Sequence, residues 1–132
     1  MLELQFVSEA VRVRNIVRRL LDFVDGHAPA SSVRDDLRLV FSELLYNAVI
    51  HGNKEDSNKR VHVQVKAEGG RIWATVQDEG PGFNYQQVID YADTDAALFD
   101  GHGRGIVLVS ALTDNLSFNE TGNLIRFEKR LK

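Results

Sequence analysis

Two stretches of the chain alternate apolar and polar residues at period two: "RVHVQVKA" (60–67) and "RIWATVQD" (71–78). Such alternation predicts strands with one buried face, and the "EGG" between them predicts an antiparallel hairpin. "LELQFV" (2–7) reads as a further short strand. "NLSFNE" (115–120) and "NLIRFEKRL" (123–131) read as a closing hairpin across "TG". Elsewhere the period changes to that of a helix. In "EAVRVRNIVRRLLDFVDG" (9–26), Val13, Ile16, Val17, Leu20, Leu21 and Val24 recur at helical spacing, with Ser8 as a cap and Gly26 and Pro29 as the stop. "SSVRDDLRLVFSELLYNAVIHG" (31–52) predicts a second helix, capped by Ser31 or Ser32 and stopped at Gly52. "NKEDSNK" (53–59) reads as a polar loop. From Glu79 to about Gly103 the pattern is irregular, with a short helix near "YQQVIDYA". "GRGIVLVSALTD" (103–114) predicts a buried helix opened by glycines.

The strands come in hairpins and the helices are grouped, without repeat or linker. That order predicts an α+β two-layer sandwich, with a mostly antiparallel sheet covered by helices on one face. A length of 132 residues fits one domain spanning 1–132. Hydrophobic residues at 43% and charged residues at 27% are ordinary for a globular chain. The formal net charge of -3 argues against a broad nucleic-acid surface. With no cysteine there is no disulfide framework and no thiolate metal site. No run approaches the ~18 apolar residues of a membrane span, and "MLELQFVSEAVRVRN" lacks the features of a signal peptide. The expectation is a cytoplasmic protein.

Three stretches carry candidate chemistry. In the second helix Leu37, Phe41, Leu44, Leu45 and Ala48 form an apolar stripe, and Glu43, Asn47 and His51 step along one flank of it. They are placed where the sheet-facing side meets an opening, away from the solvated face of Asp35, Ser42 and Tyr46. Alone, this fits a helix with a polar border. "QDEGPGF" (77–83) runs Asp78 from a strand end into Gly80 and Gly82. It fits a tight turn, and equally an acceptor held at a sheet end with glycines allowing close approach of a flat ligand. "GHGRGI" (101–106) alternates Gly101, Gly103 and Gly105 before an apolar helix, which fits a hinge or a cradle of N–H groups for phosphate. It lacks the Gly-Lys-Ser/Thr of a Walker loop and the strand context of a dinucleotide fingerprint.

In series, a helix with Glu and Asn four apart, Asp-x-Gly-x-Gly and Gly-x-Gly-x-Gly resemble the N, G1 and G2 boxes of the GHKL ATPase superfamily. "SELLYNAVIHGN", "GRGI" and "FNETGN" before a basic last strand are similar to the anti-sigma-factor serine/threonine kinases (RsbW/SpoIIAB type). The resemblance covers essentially the whole chain and implies a Bergerat-type ATP-binding fold using ATP and Mg²⁺. Carried over by position, Asp78 would accept from the adenine amino group, and Gly80 and Gly82 would shape that pocket. Asn47 would hold Mg²⁺, Glu43 would act as general base, and Gly101, Gly103 and Gly105 would wrap the phosphates. Arg104 reaches phosphate or faces solvent, and His51 meets a phosphate-side group or serves as a border residue. The acidic segment "DYADTDAALFD" (90–100) offers no Lys or Arg as a phosphate clamp, and Gly122-Asn123 stands where some relatives have Gly-Thr.

The family's partners would be a STAS-type antagonist, as phosphorylation substrate, and a sigma factor, with homodimerisation as a family property. Arg12, Arg14, Arg18 and Arg19 on the first helix fit a solvated face or a docking surface for an acidic partner. Trp73 is expected in the core or an interface. Three other readings share the motifs: a non-catalytic ATP-dependent binding module, a switch kinase of a stress complex, and the ATP-binding half of a histidine kinase. The last lacks a helix pair carrying a phosphoacceptor His, since His27 sits beside Gly26 and Pro29 at a helix end.

Overall fold

The computed structural model describes residues 1–92 and 104–132. Five strands form one antiparallel sheet: β1 (Leu2–Val7), β2 (Arg60–Glu68), β3 (Arg71–Gln77), β4 (Asn115–Phe118) and β5 (Leu124–Arg130), in the order β1-β2-β3-β5-β4. The period-two pattern becomes a two-faced sheet. Val61, Val63, Val65, Ile72, Ala74, Val76, Ile125 and Phe127 are buried on one face, and the alternate positions Gln64, Lys66, Gln77 and Arg126 lie exposed on the other. The β2–β3 register pairs Glu68 with Arg71 across Gly69 and Gly70, whose φ values of 60° and 77° suit a hairpin turn of two left-handed residues.

Helices α1 (Val13–Asp25), α2 (Ser31–Tyr46), α3 (Tyr85–Ala92) and α4 (Arg104–Leu112) make the second layer. The predicted spacing in α1 holds: Val13, Ile16, Val17, Leu20, Leu21 and Val24 are all buried. In α2, Leu37, Val40, Phe41, Leu44 and Leu45 are buried, and Phe41 meets Phe127 of β5 with ring centroids 5.6 Å apart. That aromatic pair joins the layers at the centre of the core. Lys129 of β5 donates to the Leu112 carbonyl at the end of α4 and pairs with Asp36 of α2 at 3.4 Å, so the sheet also holds both helices by a polar contact.

Four expectations change. Ser8 does not cap a helix: it is buried, and its hydroxyl donates to the Val49 carbonyl at 3.4 Å, while the chain enters α1 through a 3-10 turn at Ala10–Arg12. Neither Ser31 nor Ser32 caps α2, which starts from Ala30 without a side-chain cap. The β4–β5 connection is wider than "TG". Asn119 organises it, its Oδ1 accepting from the N–H groups of Gly122, Asn123 and Leu124 at 2.7, 3.0 and 3.2 Å. Of the two places expected for Trp73, core or interface, the structure excludes the core. Trp73 stands half-buried on the sheet's helix-free face, with the Lys66 ammonium 6.0 Å from its ring centroid.

Candidate functional site

The regular α-helix expected to run to Gly52 ends at Tyr46. Asn47–Gly52 continues it as a π-helical turn, closed by the Asn53 N–H donating to the Ala48 carbonyl at 2.9 Å. One extra residue per turn rotates the residues after it relative to those before it, and such turns concentrate at functional sites. Glu43 therefore sits in the last turn of α2, Asn47 opens the π turn, and His51 lies near its end. Glu43 and Asn47 are half-buried and His51 is exposed.

Two glycine contacts fix the ends of this segment. The Glu43 carboxylate lies against Gly105, the second residue of α4, closely enough that a Cβ at 105 would overlap Oε2. At the other end Gly52 lies against the Asp78 carboxylate, where a Cβ would overlap Cγ and both oxygens. The nine residue steps from Glu43 to Gly52 rise on the order of 13 Å. One helical segment thus presents a carboxylate to the N-terminus of α4 at one end and a small residue to a second carboxylate at the other.

Asp78 is 5% exposed. Burial raises its pKa from the ordinary carboxylate value. The Gly80 N–H, donating to Oδ1 at 2.8 Å, and the Lys59 charge oppose that shift. Tyr85, 6% exposed, is pushed up to about 12 by its own burial and then by the Asp78 charge. A buried acceptor carboxylate with a perturbed pKa in a loop marks a candidate binding group. Its backbone is held from both sides: the Asp78 N–H donates to the Asn123 carbonyl at 2.9 Å, and the next N–H, of Glu79, to Asn53 Oδ1 at 2.7 Å.

Gly80 and Gly82 have partners within the protein. A Cβ on Gly80 would overlap the Gly52 carbonyl. Gly82, with φ of 90°, packs on the Thr121 carbonyl, and Gly122, with φ of 84°, packs on that of Phe83. The close approach read from these glycines is first of all that of one loop on another. Asn123 completes it, its Nδ2 donating to the Gly80 carbonyl at 3.4 Å.

An aromatic series borders the site. The His51 ring meets Phe83 edge-on at 6.2 Å, Phe83 meets Tyr85 at 5.9 Å, and Tyr85 meets Phe118 at 5.3 Å. Phe83, Tyr85 and Phe118 line a cleft of about 460 Å³ with the Asn119–Thr121 turn. His51 thus gains an aromatic neighbour within the structure.

Asn47 is half-buried, and its side-chain amide oxygen is of the type a hard cation takes as a ligand. No group of three His, Cys, Asp or Glu residues able to hold a metal occurs among the described residues. Gly101 and Gly103, with the acidic segment 93–100, lie outside the described residues. Arg104 opens α4. Sequence reading gave no structural role to Asn53, placed in a polar loop but 1% exposed, or to Asn119 and Asn123 of "FNETGN", noting Asn123 only as a departure from Gly-Thr. Their signal was an Asn directly after a helix-stopping Gly and two Asn flanking a Thr-Gly.

Arg12 pairs with Glu9 at 2.6 Å. Arg14 and Arg18 of α1 instead join Arg34 and Arg38 of α2 around a groove of about 430 Å³ floored by Val13, Val17 and Leu21. Arg34 is held by Asp25 at 2.7 Å.

The histidine kinase-like ATPase domain model matches residues 6–129. The anti-sigma F factor of Bacillus subtilis is 28% identical over 118 residues, covering 83% of this chain and 77% of that protein. The anti-sigma F factor of Heyndrickxia coagulans is 28% identical over 136 residues, covering 98% and 92%. Among solved structures, the RsbU and RsbW domains of Rv1364c from Mycobacterium tuberculosis superpose over 99% of this chain with a TM-score of 0.64 at 20% identity, the chain spanning 33% of that protein. The mycobacterial sensor histidine kinase MprB superposes over 98% of this chain and 97% of that one with a TM-score of 0.54 at 15% identity. These two likenesses establish the fold.

Proposed function

This chain belongs to the histidine kinase-like ATPase domain family, and from that premise we propose that it is an ATP-dependent serine/threonine kinase acting as an anti-sigma factor. The observation that carries the reading is the placement of Glu43 against Gly105 and of Gly52 against Asp78 by one helical segment. It supports a base site and a phosphate site at opposite ends of a single wall.

In this reading Asp78 accepts the exocyclic N–H of adenine, within a pocket shaped by Gly80 and Gly82. Gly101, Gly103 and Gly105 lead phosphate to the N-terminus of α4, where oriented N–H groups favour anions, and Arg104 adds positive charge. Asn47 would hold Mg²⁺ through its amide oxygen. When bound, Mg·ATP supplies the transferable phosphoryl group and neutralises its charge. Glu43 takes the proton from an incoming Ser or Thr hydroxyl as that oxygen bonds the terminal phosphorus, and the bridging oxygen leaves with ADP. His51 orients Phe83 at the rim.

The hydroxyl belongs to a STAS-type antagonist, whose phosphorylation breaks its hold and leaves a sigma factor bound. The names of the two anti-sigma F factors support the sigma-factor half of this statement. The groove of Arg14, Arg18, Arg34 and Arg38 is suited to an acidic surface on either partner.

The test is transfer of label from γ-labelled ATP with Mg²⁺ to a STAS-type antagonist from the same organism. An acid-stable phosphoester on the antagonist is expected. Glu43→Gln should abolish it while leaving ATP binding intact. Absence of any phosphoprotein with the folded, ATP-bound chain overturns the kinase reading.

A further inference from the structure

Asn53 closes the "SELLYNAVIHGN" stretch without a role assigned to it; its side chain is buried, and both ends of its carboxamide are used. Its Oδ1 accepts the Glu79 N–H at 2.7 Å and its Nδ2 donates to the Arg60 carbonyl at 3.0 Å. Its backbone N–H donates to Ala48 and its carbonyl accepts from Asp56 at 3.1 Å. The amide orientation follows from its partners, because an N–H must face oxygen and a carbonyl must face the NH₂. At 1% exposure no water can replace either bond cheaply. The chain adopts unusual backbone to leave this position: Lys54 and Glu55 both take left-handed conformations with φ of 54°, a cost that persists only where surroundings dictate it.

The consequence lies one residue before Glu79. Asp78 has its own N–H fixed by Asn123 and its carboxylate pressed on Gly52. Asn53 therefore ties the residue after Asp78 to both the end of the π turn and the start of β2. With Asn53 removed, the Glu79 N–H loses its partner, and this pair of residues is left with the Asp78 N–H on Asn123, the Asp78 carboxylate against Gly52, and the Glu79 carboxylate accepting from the Arg60 N–H at 3.2 Å beside His62 at 3.4 Å.

We propose that Asn53 is a positioning residue for Asp78 and so sets discrimination between amino- and oxo-purine nucleotides. The inference rests on the reading that the base meets Asp78. A carboxylate accepts from a 6-amino group and repels a 6-oxo group, so selectivity depends on the carboxylate standing at one place. Displacements of about 1 Å are enough to forfeit such a contact.

The experiment is the ratio of ATP to GTP dissociation constants for the full chain, Asn53→Ala and Asp78→Asn, each measured well below its thermal midpoint. Asn53→Ala should lower the ATP:GTP preference by at least about tenfold, with most of the loss in ATP affinity. A role confined to stability would lower the thermal midpoint and leave the ratio unchanged. Asn53→Ser, which keeps one hydrogen-bonding group, is the milder variant and carries the same readout if Asn53→Ala does not fold. If Asp78→Asn alters the preference and folded Asn53 variants do not, the inference falls and the base-site reading stands. If Asp78→Asn leaves the preference unchanged, the base-site reading falls and the inference with it.

Discussion

The carboxylate of Glu43 lies against Gly105 where a side chain there would begin, so that a Cβ at 105 would overlap Oε2. Alanine inside a helix is normally ~0.5–1 kcal/mol better than glycine. At position 105 that gain should vanish, because a methyl group must push either Glu43 or the first turn of α4 aside. We expect Gly105→Ala to show no rise in thermal midpoint and at least a tenfold loss of phosphotransfer at saturating ATP, in line with the ~10²-fold cost of ångström-scale misplacement. A stabilised and fully active Gly105→Ala protein would refute the contact's importance.

Asp78 should trade stability for binding. Burial raises its pKa in the folded state, so the folded chain binds that proton more tightly than the unfolded chain does. Between the unfolded and folded pKa values stability therefore falls as pH rises, and above the folded value the full cost of the buried charge is present. Asp78→Asn removes the charge and still offers an oxygen to the Gly80 N–H. Its thermal midpoint without nucleotide should exceed the parent's at pH 7, and the difference should shrink toward pH 4. ATP affinity should meanwhile drop by about 10–100-fold, as for loss of a charged hydrogen bond. A midpoint below the parent's at pH 7 would contradict this account.

Phe41 and Phe127, at 0% and 1% exposure, join helix layer to sheet. Phe41→Ala should cost ~3–5 kcal/mol, read as a lower urea midpoint at unchanged slope. Because Phe41 is two residues from Glu43 on α2, activity should fall with it even in the folded fraction. A cost under ~1 kcal/mol would mean that the cavity collapses freely.

The strands and α1 were legible because one face of each is buried against a single layer, so the periods of 2 and 3.6 appear undiluted in Val61–Val65 and Val13–Val24. The π turn was not. "NAVIHG" keeps an apolar pattern compatible with ordinary helix, and the register change is tied to contacts far away in sequence, namely Gly52 on Asp78 and Asn53 on Glu79. Ser8 misled for a related reason: a hydroxyl before a helix reads as a cap, yet this one is buried against Val49. At the site, Glu43, Asn47, Asp78 and the glycines could be picked out as motif positions. The role of Asn53 could not be read, since a polar residue after a glycine has the local signature of a loop, and only the arrival of Glu79 and Arg60 gives it two partners.

The groove between α1 and α2 offers a test of partner docking that leaves the nucleotide site alone. Arg34 is engaged with Asp25, whereas Arg14, Arg18 and Arg38 make no ion pair among the described residues. Their charges are thus available to an incoming acidic surface, while Val17 and Leu21 supply an apolar floor and Tyr46, 41% exposed, an aromatic wall. Charges of this kind act mainly on the association rate, and their effect is screened by salt with a Debye length of ~10 Å at 0.1 M. Arg18→Glu and Arg38→Glu should each slow association with the proposed sigma-factor partner at least tenfold at ~0.1 M salt, and the loss should narrow at ~1 M as the charges are screened. ATP affinity should be unchanged, and stability should move by no more than ~0.5 kcal/mol. Arg12→Glu, whose parent side chain is paired with Glu9 outside the groove, serves as the control. Equal on-rates for Arg12→Glu and Arg18→Glu would show that the chain's basic face acts diffusely and that this groove is not where the partner seats.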